Sequence, residues 1–238
     1  MTGCVTLPSR WAWGSANVRF GRPGGRRRRS RRPAVTAPGR THPVTALDTE
    51  PRNATSVPLA PLLAERWSPR GFATGHELSD EELTSLVEAA RWTPSYFNQQ
   101  PWRLAAARRG TALFDDIVDT LAEFNQLWMR RVSALIVLVT ETERDGETVP
   151  YALYDAGQAA AHLSVQAAHL GLWAHQAAGF DKDAIATLLD LDPAQLPLTV
   201  IAIGEHTTAE DVPEKIRERD AAPRARRPLD EVLLAPLA

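Results

Sequence analysis

The chain of 238 residues carries 27 Lys+Arg against 29 Asp+Glu and is 44% hydrophobic, which suits one domain with room for a tail. Its single cysteine, Cys4, excludes a disulfide framework and any zinc or iron–sulfur site built from the cysteines of one chain. No stretch approaches the roughly 18–20 uninterrupted apolar residues of a membrane span, so a soluble, cytoplasmic protein without a membrane partner is expected.

The charge is unevenly spread. Residues 1–43 hold ten Arg and no acid, net +10, which leaves 17 basic and 29 acidic side chains, net −12, in the rest. Residues 1–55 also contain Pro8, Pro23, Pro33, Pro38, Pro43 and Pro51, the run Arg26-Arg27-Arg28-Arg29-Ser30-Arg31-Arg32, and no apolar period. Such a segment cannot bury enough apolar surface to offset its ordering entropy, and it reads as a disordered tail, 1–55, ahead of a domain over 56–238. An Arg block can bind nucleic acid or an anionic membrane surface electrostatically. Twin-arginine export would need an apolar stretch after the arginines, and residues 33–40 are too short and broken for one. A start codon assigned too early is a further reading, because an acid-free, Arg-rich segment in a chain with two Lys suits translated upstream GC-rich sequence; the intact mass of the native protein decides it.

From Val57 the pattern becomes periodic. Ser79-Asp80-Glu81-Glu82 is a capping box, and Leu83, Leu86, Val87 and Ala90 repeat at helical spacing until Pro94. Residues 102–107 read as a short strand. A helix is expected from Thr111, with Leu113, Phe114, Ile117, Val118, Leu121 and Phe124 on one face. Ala134-Leu135-Ile136-Val137-Leu138-Val139 reads as a central strand buried on both faces. The longest helix, 151–170, is Ala-rich and stops at Gly171. Residues 173–177 are extended, Asp181 caps a helix through Leu189, and 198–203 form a second buried strand. The last twenty residues read as a polar, Arg-bearing arm ending in Val232-Leu233-Leu234. The sum is an α/β or α+β layer protein with helices on both faces of a small central sheet.

Four clusters place special side chains beside backbone breaks. In Arg66-Trp67-Ser68-Pro69-Arg70-Gly71-Phe72, two guanidiniums flank a hydroxyl in a turn, a cradle for an oxyanion through bidentate, charge-assisted bonds, though such a cluster taken alone is more often a plain solvated turn. Thr93-Pro94-Ser95-Tyr96-Phe97-Asn98-Gln99-Gln100-Pro101-Trp102 is a proline-bounded loop of amides, a hydroxyl and aromatics that can hold a planar polar ligand. His175-Gln176-Ala177-Ala178-Gly179-Phe180-Asp181 is a strand-to-helix junction where small residues admit a ligand to the backbone. In Pro223-Arg224-Ala225-Arg226-Arg227-Pro228, Arg224 and Arg226 alternate and would share one side of an extended arm.

In this order and spacing the four clusters resemble the FMN-dependent nitroreductase family, with its Arg-x-Ser-x-Arg start, Pro-Ser-x-x-Asn-x-Gln-Pro-Trp loop, Gly-Phe junction and Lys/Arg-x-Arg-x-Pro close. The resemblance spans about residues 56–235, and the Pro94–Trp102 match is its most specific part. Asn125, followed by Trp128, also matches a family position. The resemblance implies an α+β fold whose C-terminal arm is exchanged in a homodimer. It implies that Arg66, Trp67, Ser68, Arg70, Arg224 and Arg226 hold the FMN phosphate and ribityl chain. Pro94, Ser95, Tyr96 and Asn98 would line the ring from the second subunit, Asn125 would bond a ring edge, and the backbone at Ala178 and Gly179 would face the reactive flavin nitrogen. Many relatives carry an acid where this chain has Ala178.

The function implied is ping-pong hydride transfer from NADH or NADPH through bound FMN to a small-molecule nitro, quinone, enone or similar acceptor. The flavin then carries the chemistry, so the protein itself needs no catalytic dyad. The six histidines fit this, showing neither nucleophile nor metal spacing; His162 and His169 read as ordinary helix-face residues. Two alternatives stay open: a non-catalytic flavin-binding protein, and a nucleic-acid-associated protein acting through the Arg tail.

Overall fold

Each face of the central strand needs a helical cover, and the computed structural model, which describes residues 55–235, supplies one on each. The elements in chain order are α1 (Pro61–Glu65), α2 (Asp80–Arg91), a single 3-10 turn (Tyr96–Asn98), β1 (Trp102–Arg108), α3 (Ala112–Asp119), α4 (Glu123–Met129), β2 (Ala134–Glu141), the hairpin strands β3 (Glu143–Arg144) and β4 (Glu147–Thr148), α5 (Ala152–His169), β5 (Trp173–Ala177), α6 (Lys182–Leu188), β6 (Gln195–Gly204), α7 (Glu214–Ala221) and α8 (Leu229–Val232). The expected tail lies, apart from its last residue, outside the described residues. No helix among the described residues is long and apolar enough to cross a membrane.

Four strands form an antiparallel sheet in the order β1-β2-β6-β5. The two-residue period of β2 divides its side chains between two cores. Leu135, Val137 and Val139 join Phe114, Ile117, Trp128, Met129 and Ile185. Ala134, Ile136 and Leu138 face Leu86, Ala90, Ala156, Ala159, Ala160 and Leu163. The alanines of α5 bring it close to α2 and the sheet. The capping box is present: Ser79 Oγ accepts the Glu82 N–H at 3.2 Å, and the Glu82 carboxylate accepts the Ser79 N–H at 2.8 Å.

Three elements differ from the sequence reading. The helix expected from Thr111 is two helices, because the backbone of residues 120–122 pairs instead with 179–181. Asp181 N–H donates to the Thr120 carbonyl at 2.8 Å, Ala122 N–H donates to the Gly179 carbonyl at 3.0 Å, and Leu121 bridges Phe180. β6 begins at Gln195, before Pro197; the missing proline N–H is absorbed where the register shifts opposite Leu138 and Val139. The polar segment leading into the C-terminal arm forms α7, anchored by buried Ile216 and Asp220, and the arm itself carries the short helix α8.

Candidate functional site

The turn at 66–72 is held from behind by residues far along the chain. Trp67 is buried edge-on against Trp173 and His206, with ring centroids 5.8 and 5.2 Å away. Phe72 bridges His206, and the Gly71 carbonyl accepts the Thr207 N–H at 3.1 Å and His206 Nδ1–H at 2.8 Å. A side chain on Gly71 would bring its Cβ within 2.5 Å of the Thr207 carbonyl oxygen, so this approach requires glycine. Burial lowers the His175 pKa to about 4, so the ring is neutral at pH 7, and its Nδ1–H donates to the Pro69 carbonyl at 2.7 Å. The buried Asp220 carboxylate closes the turn, accepting the Arg70 N–H at 2.8 Å and the Gly71 N–H at 2.7 Å.

This frame presents cations on its open side. The Arg66 guanidinium is held below its ordinary pKa first by burial and then by the charge of nearby Arg226. Ser68, Arg70, Arg219 and Arg224 line a cleft of about 150 Å³ together with Trp67 and Asp220. Arg70 is likewise lowered by burial, against which Asp220 raises it and Arg219 lowers it. Its Nε is buried and has no hydrogen-bond partner among the described residues. The like charges of Arg66 and Arg226, with the three arginines that line the cleft, suit a dianion with several acceptor oxygens, and a terminal phosphate is such a group.

The second motif lies elsewhere. The 94–100 loop leads into Trp102, opposite Thr140 on β2, whereas the 66–72 turn pairs just beyond Gly204, and Ile203 lies opposite Ala134. Ala134 and Thr140 are six residues apart on β2, which is about 20 Å at ~3.4 Å per residue. Pro94, Ser95 and Tyr96 line their own cleft of about 300 Å³ with Tyr151, Tyr154, Asp155 and Gln158. Asn98 is exposed beside it.

Asn125 sits on α4, which restarts after the break, and its Nδ2 donates to the Gly179 carbonyl at 2.9 Å. A Cβ on Gly179 would lie 2.7 Å from that nitrogen. Ala178 and Gly179 are exposed. The predicted residues thus fall into separate groups in one chain: the arginine turn, the Asn125–Gly179 contact, and the 94–98 loop. Sequence reading missed Asp220, Arg219, His206 and Asp155. Each acts on a residue distant in sequence, so no local pattern marks it.

A sequence profile described as the nitroreductase family matches residues 63–205, which takes in the turn, the loop, Asn125 and Gly179 and stops before Arg224. An uncharacterized 15.4 kDa protein from the ask 5' region of Mycolicibacterium smegmatis is 35% identical over 137 residues, 55% of this chain and 92% of its own length. The oxygen-insensitive NADPH nitroreductase of Helicobacter pylori is 32% identical over 96 residues, 39% of this chain; the match spans 42% of that enzyme. The crystal structure of an oxidoreductase containing FMN superimposes with a TM-score of 0.73 at 31% identity, covering 78% of this chain and 96% of the other.

Proposed function

The chain belongs to the nitroreductase family, and on that premise we propose that it is a homodimeric, FMN-dependent oxidoreductase that takes electrons from NADH or NADPH and delivers them to a nitro, quinone, enone or similar small-molecule acceptor. The observation that carries this reading is the gathering of arginines at one turn, with Ser68, Arg70, Arg219 and Arg224 around one cleft and the adjoining Arg66 close enough to Arg226 to feel its charge. FMN, when bound, supplies the hydride chemistry.

The residues of this chain bind and orient. Arg66, Ser68, Arg70, Arg224 and Arg226 hold the phosphate and ribityl chain, each charge-assisted bond contributing roughly 1.5–3 kcal/mol. Trp67, with its side chain buried, acts through the turn it anchors and through its main chain. Asn125 has its Nδ2 committed to Gly179, which leaves Oδ1 to accept an N–H at the ring edge. The exposed backbone at Ala178 and Gly179 faces the ring, with no side-chain acid at Ala178. Pro94, Ser95, Tyr96 and Asn98 line the ring of the other subunit. The ~20 Å between loop and arginine turn supports a site completed by a second copy, and exchange of the C-terminal arm accompanies it. The 56–238 segment forms the flavin domain, and the Arg-rich tail takes no part in it.

The absorption spectrum of the purified protein tests the reading. A flavin spectrum, bleached by NADH or NADPH added separately, is expected, with FMN released on heating. A colourless protein that FMN cannot reconstitute, or one that releases FAD, overturns the assignment, and a flavin that neither nucleotide bleaches leaves a binding protein without the enzyme.

A further inference from the structure

We infer that Asp155 is a positioning residue for the ring-binding loop, holding Ser95, Tyr96 and Asn98 in place from the neighbouring helix. The inference rests on the flavin reading above. Asp155 lies in the first turn of α5, where the helix dipole favours a carboxylate. It is 2% exposed, and its Oδ2 accepts the Tyr96 N–H at 2.9 Å. No ion pair to Asp155 occurs among the described residues, so its role rests on its placement as an acceptor.

The loop it touches needs external support. Phe97, Asn98 and Gln100 have φ of 46, 57 and 48°, three non-glycine residues in the left-handed region within four positions. Backbone of this kind persists only where its surroundings determine it, and such strain clusters at ligand sites. Several of its bonds are internal: Asn98 N–H to the Ser95 carbonyl at 3.0 Å, Gln100 N–H to Ser95 Oγ at 3.0 Å, and Gln99 N–H to the Tyr96 carbonyl at 3.0 Å. They shape the loop without fixing where it sits. Three bonds from outside do that: Arg144 Nη2–H to the Gln99 carbonyl and Arg103 Nη1–H to the Gln100 carbonyl, both at 3.2 Å, at the end of the loop, and Asp155 at its start. Of the three, only Asp155 grips the residue between Ser95 and Phe97, at the start of the strained turn and in the cleft with Tyr151 and Tyr154.

Flavin-stripped full-length wild type and the variants Asp155→Asn, Asp155→Glu and Asp155→Ala are titrated with FMN and with riboflavin, and backbone amide exchange is followed over residues 95–100. Because the loop acts on the ring, Asp155→Ala should weaken both flavins about tenfold and leave their ratio unchanged, whereas Asn, which keeps an acceptor in place, should stay within about threefold of wild type. Glu keeps the charge but displaces the acceptor by a methylene, and should behave like Ala. Exchange at 95–100 should quicken in Ala and Glu but not in Asn. The inference is overturned if Ala binds both flavins like wild type, if Asn is as weak as Ala, or if Glu is as tight as wild type. Should Ala fail to fold, the Asn and Glu pair decides. A wild type that binds neither flavin overturns the flavin reading and this inference with it; a wild type that binds while no variant differs overturns the inference alone.

Discussion

At the scale of single residues, the proposed site assigns the phosphate to the arginine turn and the ring to other residues, so the two contributions can be measured apart. Arg226→Ala should weaken FMN by about one to two decades, from the ~1.5–3 kcal/mol of lost charge-assisted bonds. Riboflavin, which lacks the phosphate, should be unaffected, and fluorescence titration of both flavins checks this. His175 gives a pH dependence with a definite sign. Its folded pKa of about 4 lies below the ordinary 6.5, so on acidification the unfolded chain takes up the proton first. The contribution is fully present above pH 6.5 and is lost as pH falls toward 4, in all about 3 kcal/mol. His175→Gln removes this titration. Its melting temperature, lower than wild type at pH 7 for want of the Pro69 bond, should fall less steeply than wild type between pH 6.5 and 4; parallel curves would contradict the role of burial.

At the scale of elements, the site depends on two close backbone approaches that sequence pattern does not display. The 71–73 segment runs beside 205–207, and the 120–122 segment beside 179–181. Gly71→Ala places a methyl group against a main-chain carbonyl that cannot swing aside. It should cost about 1–3 kcal/mol in urea unfolding and weaken FMN as well, since the same pairing carries the arginine turn. Gly179→Ala meets the mobile end of the Asn125 side chain instead. Its stability should change little while the Asn125–Gly179 bond is displaced, so a comparison of the two alanine variants separates a backbone clash from a side-chain one.

At the scale of the whole molecule, the proposed site requires two copies. Phe97, Tyr151 and Tyr154 are 82%, 62% and 66% exposed around the loop that would meet the second subunit. A contiguous exposed aromatic group of this kind marks an interface. Light scattering at micromolar concentration should give a dimer for the flavin-loaded protein, and a flavin-loaded monomer would contradict the shared site. Removing residues 1–43 takes away +10 of charge and leaves net −12. Flavin affinity, melting temperature and dimerisation should stay as they were, and the isoelectric point should fall sharply. Loss of flavin on this deletion would assign the tail a structural part.

The sequence by itself determined whatever is encoded locally. The Ser79 capping box, the two-sided apolar run of β2, the Ala-rich α5 and the four motif clusters were all legible, because a cap needs four consecutive residues and a buried strand or helix face repeats every two to four. Tertiary structure alone decided how those pieces meet. It split the helix after Thr120, because 179–181 captured the backbone of 120–122, and so set Asn125 against Gly179. It folded α7 from a polar segment around Ile216, which carried too few apolar residues to show a period. It also recruited Asp155, His206 and Asp220, whose hydrogen bonds close over 59, 135 and 149–150 residues of chain. An acceptor used at that distance leaves no mark on its neighbours in sequence, since the packing of the two cores, and not the local chain, brings donor and acceptor together.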